Sequence, residues 1–279
     1  GNWFEIAKEF IKPEAIVELK TPYRTEDEEL IDIWNKIRII DPLIMEHLSR
    51  NNYNFELSEE IFKKVHKDEI ILSLNYDGIY GINNINRLLQ AANPSSGVEW
   101  NSMFYKINDP IVFSETNRFN GVLYNNLKGI IKGIQKSSNG ERIYFTIELL
   151  DVVLNGLDVS NSELELLENS NSNNSIVRFY VNRYRSTDED SEDNSTTVPF
   201  QVSYAISIHK AQGLEYESVK IVITKEVDEQ INHNILYTAM TRTKKYLKIY
   251  WSPETENYIL SQLSRKNIRK DINLLKMKL

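Results

Sequence analysis

The chain has 279 residues, with 33 Lys+Arg against 40 Asp+Glu, a net charge of −7 and 41% hydrophobic residues. That is enough apolar material for one large or two ordinary domains and excludes wholesale disorder. There is no Cys, which excludes a disulfide scaffold, a thiol nucleophile and a Cys-based zinc or iron–sulfur site. No run approaches the roughly 18 apolar residues of a membrane span and no signal peptide opens the chain, so a soluble, cytoplasmic protein is expected.

The first residue is Gly rather than Met, which reads as a cut or engineered start. Glu14 to Lys20 reads as a short buried strand. Thr25 and Glu28 have capping-box spacing, and Leu30, Ile33, Trp34 and Ile37 then make one apolar stripe at helical period. Residues 41–67 are weakly helical. Glu69 to Leu74 reads as a buried strand, and Gly81 to Ala92 as a helix with Ile82, Ile85, Leu88 and Leu89 inward, stopped by Asn93-Pro94.

Near Ser95 the character changes to short strands and turns: Ile111-Val112-Phe113, Gly121 to Tyr124, Gly129 to Ile134 and Ile143 to Leu150. Asn125-Asn126 and Asn139-Gly140 are turn signals. This stretch reads as a small β-barrel inserted in an α/β domain. Its aromatics Tyr105, Phe113, Phe119, Tyr124, Tyr144 and Phe145 interleave with Lys106, Arg118, Lys128, Lys132 and Arg142. Barrel core is the first reading of these rings, and a stacking groove for a single strand the second.

The acidity is local. Residues 151–200 hold ten acids and three bases, so they account for the whole net charge of −7. The runs Asn169 to Ser175 and Ser186 to Ser195 lack apolar residues and read as loops, with a strand from Ile176 to Tyr184 between them. A net acidic chain ordinarily argues against a nucleic-acid partner, but the remaining 229 residues are charge-balanced. From Phe200 the α/β pattern returns: a strand at Val219 to Thr224, a helix at Ile231 to Thr241 and a strand at Tyr246 to Trp251. The end, with Arg265, Lys266, Arg269, Lys270, Lys276 and Lys278, reads as a basic helix with a solvated face. Strands alternating with helices imply a mostly parallel sheet.

The stretches Ser203 to Tyr216 (SYAISIHKAQGLEY) and Tyr237 to Lys245 (YTAMTRTKK) resemble motifs V and VI of superfamily 1 helicases, T-x-H-K-x-Q-G-x-E and Y-T-A-x-T-R. Pro22-Tyr23-Arg24-Thr25 looks like motif IV, with Pro22 in place of the usual amide residue. Leu74 to Pro94 is similar to a RecD-like pattern of a Gly-rich entry, L-N-x-x-L-Q and N-P. Asn108-Asp109-Pro110-Ile111-Val112 and Tyr124 to Gly129 resemble the G-D-x-V and N-G-x-x-G of the SH3-like barrel in those helicases. Asn108 and Asn126 stand where that pattern has Gly.

The resemblance, to the C-terminal portion of the UvrD/RecD-like group, implies a RecA-like, P-loop-NTPase-type α/β domain lacking its P-loop half, with an inserted SH3-like barrel. The domain bounds expected are 1–95 and 201–279 for the motor domain and 96–200 for the insert. No G-x-x-x-x-G-K-[ST] occurs in the sequence. The phosphate- and magnesium-binding elements are therefore expected in a first RecA-like domain, upstream of Gly1. ATP with Mg is the cofactor implied, the metal held by that other domain.

Site roles follow from the resemblance and from residue chemistry. Arg242 and Arg24 are the catalytic candidates, because a guanidinium stays charged and meets phosphoryl oxygens two at a time; the alternative is a surface salt bridge. Glu215, after Gly213, matches the position that bonds the nucleotide ribose. Tyr23 stacks on adenine or is merely half-buried, and Gln212 links the nucleotide to the nucleic-acid track. Ser207 and His209 match positions that hold the strand backbone, donors that ignore base identity. Lys210 serves either that backbone or an interdomain salt bridge. Arg118 and Lys128 are the strand-contact candidates in the insert, and Thr238 and Thr241 support the Arg242 helix.

The function implied is that of the C-terminal motor domain of an ATP-dependent DNA helicase, with single-stranded DNA and the N-terminal RecA-like domain as partners and 5′ to 3′ polarity. The chain alone is then expected to be inactive as an ATPase. The alternative is a stand-alone nucleic-acid-binding or protein-docking module.

Overall fold

The computed structural model describes residues 3–17, 23–114, 118–160, 162–171, 173–183, 194–263, 273 and 275–277. The chain divides into two compact units. The first comprises Gly1–Ile61, Val65–Asn75 and Ser207–Leu279, and the second Phe62–Lys64 and Tyr76–Ile206.

The first unit is built on parallel strands. Asn54–Phe55 pairs with Thr243–Tyr250, that strand with Tyr216–Val222, and that in turn with Glu69–Ser73. Tyr216–Val222 is flanked on both sides, and Val219, Ile221 and Val222 are all fully buried. A two-sided apolar run of this kind marks a parallel sheet covered by helices. Glu28–Ile39 supplies one cover, burying Leu30, Ile33, Trp34 and Ile37 as its periodicity requires. It packs on His233–Met240, where His233 Nε2 donates to the Ile37 carbonyl at 2.8 Å.

Within this sheet lies a buried ion pair. Lys220 Nζ sits 3.0 Å from Glu69 Oε1, with both side chains nearly inaccessible, and also donates to the Glu60 carbonyl at 3.3 Å. Ser218 Oγ donates to Glu69 Oε2 at 3.0 Å. Removing one partner strands the other charge in the core. Lys220→Met is therefore expected to lower stability by about 3–5 kcal/mol, and Lys220→Met/Glu69→Leu by much less. Chemical denaturation of both variants checks this.

The second unit holds a six-stranded antiparallel sheet in the order Phe200–Val202, Pro110–Phe113, Lys128–Lys136, Arg142–Leu149, Asn174–Asn182 and Glu165–Asn171. Gly97–Trp100 and Met103–Lys106 form a separate hairpin. One face carries the core, with Ile111, Phe113, Ile131, Phe145, Ile147 and Phe179 closely packed. Phe145 and Phe200 meet edge-on at 5.0 Å between ring centres.

The core reading of the aromatics holds for Tyr105, Phe113, Phe119 and Phe145. Burial pushes the Tyr105 hydroxyl up to about 12. Tyr124 is instead exposed, and Tyr144 lies on the other face with the Arg178 guanidinium 4.8 Å from its ring centre.

The helix Ile82–Ala92 belongs to the second unit. Its Gln90 Nε2 and the Asn93 Nδ2 beyond it donate to Asp109 at 2.6 and 2.8 Å, and the Tyr204 hydroxyl and Lys106 N–H donate to the same carboxylate at 2.8 and 2.9 Å. Asp109 is fully buried. Burial and then the Asp109 charge push the Tyr204 hydroxyl well above its ordinary value, so it acts only as a donor. Gly81 starts the helix at a point where a Cβ would stand 2.2 Å from the Asp77 carbonyl oxygen, so no larger residue fits there.

Several local expectations are corrected. Pro13–Ala15 is a short 3-10 turn and Val17 is exposed, so the described part of Glu14 to Lys20 is no buried strand; residues 18–20 lie outside the described residues. Asp27, not Thr25, caps the first long helix, accepting from the N–H groups of Glu29 and Leu30. Thr25 accepts from Asp27 N–H instead, because the helix starts later than the capping-box spacing implies. Leu88 is exposed. Gly121 to Tyr124 is a turn. Asn169–Asn171 and Asn174–Ser175 are strand ends rather than loop, because antiparallel pairing satisfies their backbone groups whatever their side chains. Most of Ser186 to Ser195 and of the basic end lies outside the described residues.

Candidate functional site

Three segments far apart in sequence meet in one cleft of the first unit. Tyr23, Arg24, Trp34, Glu215, Tyr237, Thr241 and Arg242 line an open pocket of about 450 Å³. Arg24 enters just ahead of the helix Glu28–Ile39. Glu215 immediately precedes the strand Tyr216–Val222, and Arg242 follows the helix His233–Met240. Tyr216 N–H donates to the Arg242 carbonyl at 2.9 Å, which ties the last two segments together.

Arg242 is buried and braced. Its Nε donates to the Thr238 carbonyl at 2.9 Å, Nη1 to the Leu214 carbonyl at 3.2 Å and Nη2 to Thr241 Oγ1 at 3.2 Å. Thr241 Oγ1 in turn donates to the Tyr237 carbonyl at 2.9 Å. Thr238 and Thr241 thus hold the guanidinium in place. Burial, and then the neighbouring Arg24 charge, lower the Arg242 pKa from its ordinary value. An arginine nevertheless stays cationic at neutral pH.

Arg24 Nε donates to Glu215 Oε1 at 2.6 Å, and Nη1 donates to the Thr241 carbonyl. Lys244 Nζ lies 3.4 Å from Glu215 Oε2. Burial pushes the Glu215 carboxyl up, but the hydrogen bond and charge of Arg24, with the charge of Lys244, outweigh it and hold the group below its ordinary 4.5. A lowered carboxyl pKa contributes stability above the ordinary value, and that stability is lost as pH falls through the folded one. The Tm difference between the protein and Glu215→Gln is therefore expected to be constant from about pH 6 to 8 and to shrink below about pH 4.5. Scanning calorimetry across that range measures it.

Gly213 has φ +91°, a left-handed conformation that favours glycine, and the turn it makes brings the chain to Glu215. Tyr23 is almost fully exposed at 94% at the cleft mouth. Gln212, His209 and Lys210 are exposed on the turn before it, whereas Ser207 is buried and its Oγ accepts from Lys210 N–H at 3.2 Å. Ile208 N–H donates to the Ser73 carbonyl at 3.1 Å, anchoring that turn to the sheet.

In the second unit, Lys128 is half-buried at the start of its strand. Arg118 is corrected as a strand contact. Its side chain is 4% exposed, its Nε is 2.6 Å from Glu163 Oε2, and its Nη1 donates to the Tyr180 carbonyl at 2.7 Å. Its guanidinium also lies against the Phe119 and Tyr180 rings, so it closes the local packing rather than facing a ligand. Trp34, Tyr237 and Lys244 were not singled out as ligand-facing. Trp34 reads as part of an apolar helix stripe, and Tyr237 and Lys244 lie in the motif VI stretch with no separate role expected of them.

Two arginines around a carboxylate, on a parallel-sheet α/β unit, suit a polyanion that also offers hydroxyl groups. Residues 202–250 match the UvrD-like helicase C-terminal domain family. The RecBCD enzyme subunit RecD of Buchnera aphidicola subsp. Schizaphis graminum is 25% identical over 211 residues, covering 74% of this chain and 28% of that protein. An uncharacterized protein of Methanocaldococcus jannaschii is 34% identical over 107 residues, 37% of this chain and 8% of that protein. Among solved structures, Pif1 helicase from Candida albicans aligns with TM-score 0.50 and 13% identity, over 98% of this chain and 62% of its own. Bacteroides Pif1 bound to ssDNA aligns with TM-score 0.50 and 15% identity, over 94% and 57%.

Residues 202–250 thus match the UvrD-like helicase C-terminal domain, most of the chain is similar to part of a RecD protein, and the α/β fold is of the helicase type. The chain spans little more than a quarter of the length of the RecD relative and about three-fifths of the Pif1 chains. Among the described residues no helix is long and apolar enough to cross a membrane.

Proposed function

We propose that this chain is the C-terminal motor domain of an ATP-dependent DNA helicase, acting with an N-terminal RecA-like domain of the same protein. The observation that carries the reading is the convergence of Arg24, Glu215 and Arg242 in one cleft. On this reading residues 1–95 and 201–279 form the motor domain, and 96–200 an insert corresponding to the SH3-like barrel of the group; the second compact unit, Phe62–Lys64 and Tyr76–Ile206, extends past that insert at both ends.

The residues fit a nucleoside triphosphate. The Glu215 carboxylate accepts from ribose hydroxyls. Tyr23, exposed at the mouth, offers a ring face to the base. Arg242 and Arg24 offer charge where it grows on the terminal phosphoryl oxygens. ATP bound with Mg supplies the phosphoryl group and the energy of its transfer, and the metal belongs with the N-terminal domain. Gly213 and Gln212 continue the same turn toward Lys210, His209 and Ser207, so Glu215 and the strand-holding residues lie on one short stretch of chain. His209 and Lys210 face solvent and suit phosphates of a single strand. Lys128 is the further strand contact in the insert. Ser207 Oγ already accepts from Lys210 N–H and keeps its own proton to donate.

The test is to join this chain to its N-terminal half and measure ATP hydrolysis with and without single-stranded DNA. Strong DNA stimulation is expected, with the isolated chain inactive; robust turnover by the isolated chain would contradict the division of labour. Single-strand binding by the chain alone is expected to be weak and to fall steeply with salt, because each phosphate contact releases a counterion. Fluorescence anisotropy with labelled oligonucleotides from low to physiological salt reads this out. No binding at low salt would mean the track exists only in the joined protein.

A further inference from the structure

The Arg24 guanidinium is committed twice, through Nε to Glu215 Oε1 at 2.6 Å and through Nη1 to the Thr241 carbonyl. Those two groups are not available to a phosphate while they are held. Glu215 has a further cation on its other oxygen, Lys244 Nζ at 3.4 Å from Oε2. The reach of Lys244 is set by the sheet. Tyr216 and Thr243 are partners in the parallel pairing; Glu215 precedes one and Lys244 follows the other, and the long lysine side chain spans that offset. The two cations occupy different oxygens, so one can leave without displacing the other.

We propose that Lys244 is a positioning residue that holds the Glu215 carboxylate in place while Arg24 exchanges from Glu215 to the phosphates of an incoming nucleotide. The proposal rests on the nucleotide reading of the cleft. Arg24 then has two anionic partners in turn, and its Nε and Nη1 meet phosphate only after the exchange. Without Lys244, the departure of Arg24 would leave a partly buried carboxylate beside an arriving polyanion, and like charges repel.

The test uses inorganic tripolyphosphate, which has phosphates but no ribose or base, so direct contacts of Glu215 with a nucleoside do not enter. Its affinity for this chain joined to its N-terminal half is measured by calorimetry at low salt, with near-UV circular dichroism of each variant as the check on folding. Glu215→Gln is expected to bind tripolyphosphate about 3-fold or more tightly than the unaltered protein, the scale of one partly exposed ion pair. Arg24→Ala is expected to abolish that gain. Lys244→Met should weaken binding at least about 3-fold more in the unaltered background than in Glu215→Gln, since coupled residues do not add.

Equal losses in both backgrounds would mean that Lys244 meets the anion directly, and would overturn the positioning role. Binding that does not improve in Glu215→Gln would overturn the exchange and leave the nucleotide reading standing. Binding that is undetectable in every variant, or unchanged by Arg24→Ala, would overturn the nucleotide reading and the exchange with it.

Discussion

Arg242→Ala, in a protein joining this chain to its N-terminal half, is expected to lower the kcat of DNA-stimulated ATP hydrolysis by about 10³-fold or more. The size follows from where the charge sits. Phosphoryl transfer spreads negative charge over the terminal oxygens, and a guanidinium already in position stabilises it without reorganising. Arg242 is in such a position: buried, and held by the Thr238 and Leu214 carbonyls and by Thr241 Oγ1. Three of its five N–H groups are used in that bracing, which leaves two for oxygens in the cleft.

Because the bracing is also structural, Ala alone would be ambiguous. Arg242→Lys keeps a cation but loses the planar fork, so it should lose most of the rate while the Tm stays closer to that of the unaltered protein. Steady-state hydrolysis with a parallel thermal melt separates the two effects. Hydrolysis unchanged in Arg242→Ala would remove Arg242 from the catalytic set and leave it as a structural residue.

The second large effect is expected at Asp109, which touches no candidate ligand. Its carboxylate accepts from Gln90, Asn93, the Lys106 N–H and the Tyr204 hydroxyl, and it is fully buried. Hydrogen bonds to a charged group are the strong ones, and a buried donor left without an acceptor costs its whole desolvation. Asp109→Ala takes a charged acceptor from all four donors, of which the Gln90 and Asn93 amides keep a carbonyl each, and is expected to cost about 3–5 kcal/mol, since the losses do not add fully. In a unit of this size that is a fall of roughly 10–20 °C in Tm.

Asp109→Asn is expected to recover only part of the loss, because its amide turns two donors toward groups that also donate. Thermal unfolding followed by near-UV circular dichroism measures both. A change below about 1 kcal/mol would mean that water or a rearranged loop satisfies those donors.

Much of this was legible in the order of residues. The apolar periodicity of Leu30, Ile33, Trp34 and Ile37 stated a helix face, and the β-branched run at Val219 stated a buried strand, because burial pattern is a local property of a chain at fixed period. The two Asn residues that stand in the places of glycines are telling. Asn108 and Asn126 have φ +68° and +69°, so the left-handed turns survive; Asn is the residue that best replaces Gly there. The Asn139-Gly140 turn also falls where its dipeptide puts it, with Gly140 at φ +71°.

What the sequence could not display is which side chains spend their charge on one another. Arg24 and Arg118 look alike as cations in a string. One stands in an open cleft on Glu215, the other is sealed against Glu163 and two rings, and only long-range packing separates the cases. The Asp109 cluster gathers residues from 90 to 204, and the side chain of Lys244 reaches Glu215 across two neighbouring parallel strands. Length, composition, the local acidity and the short motifs are written along the chain and determine element type and the candidate list. Partnership is a property of distance in space, and the tertiary structure alone decided it.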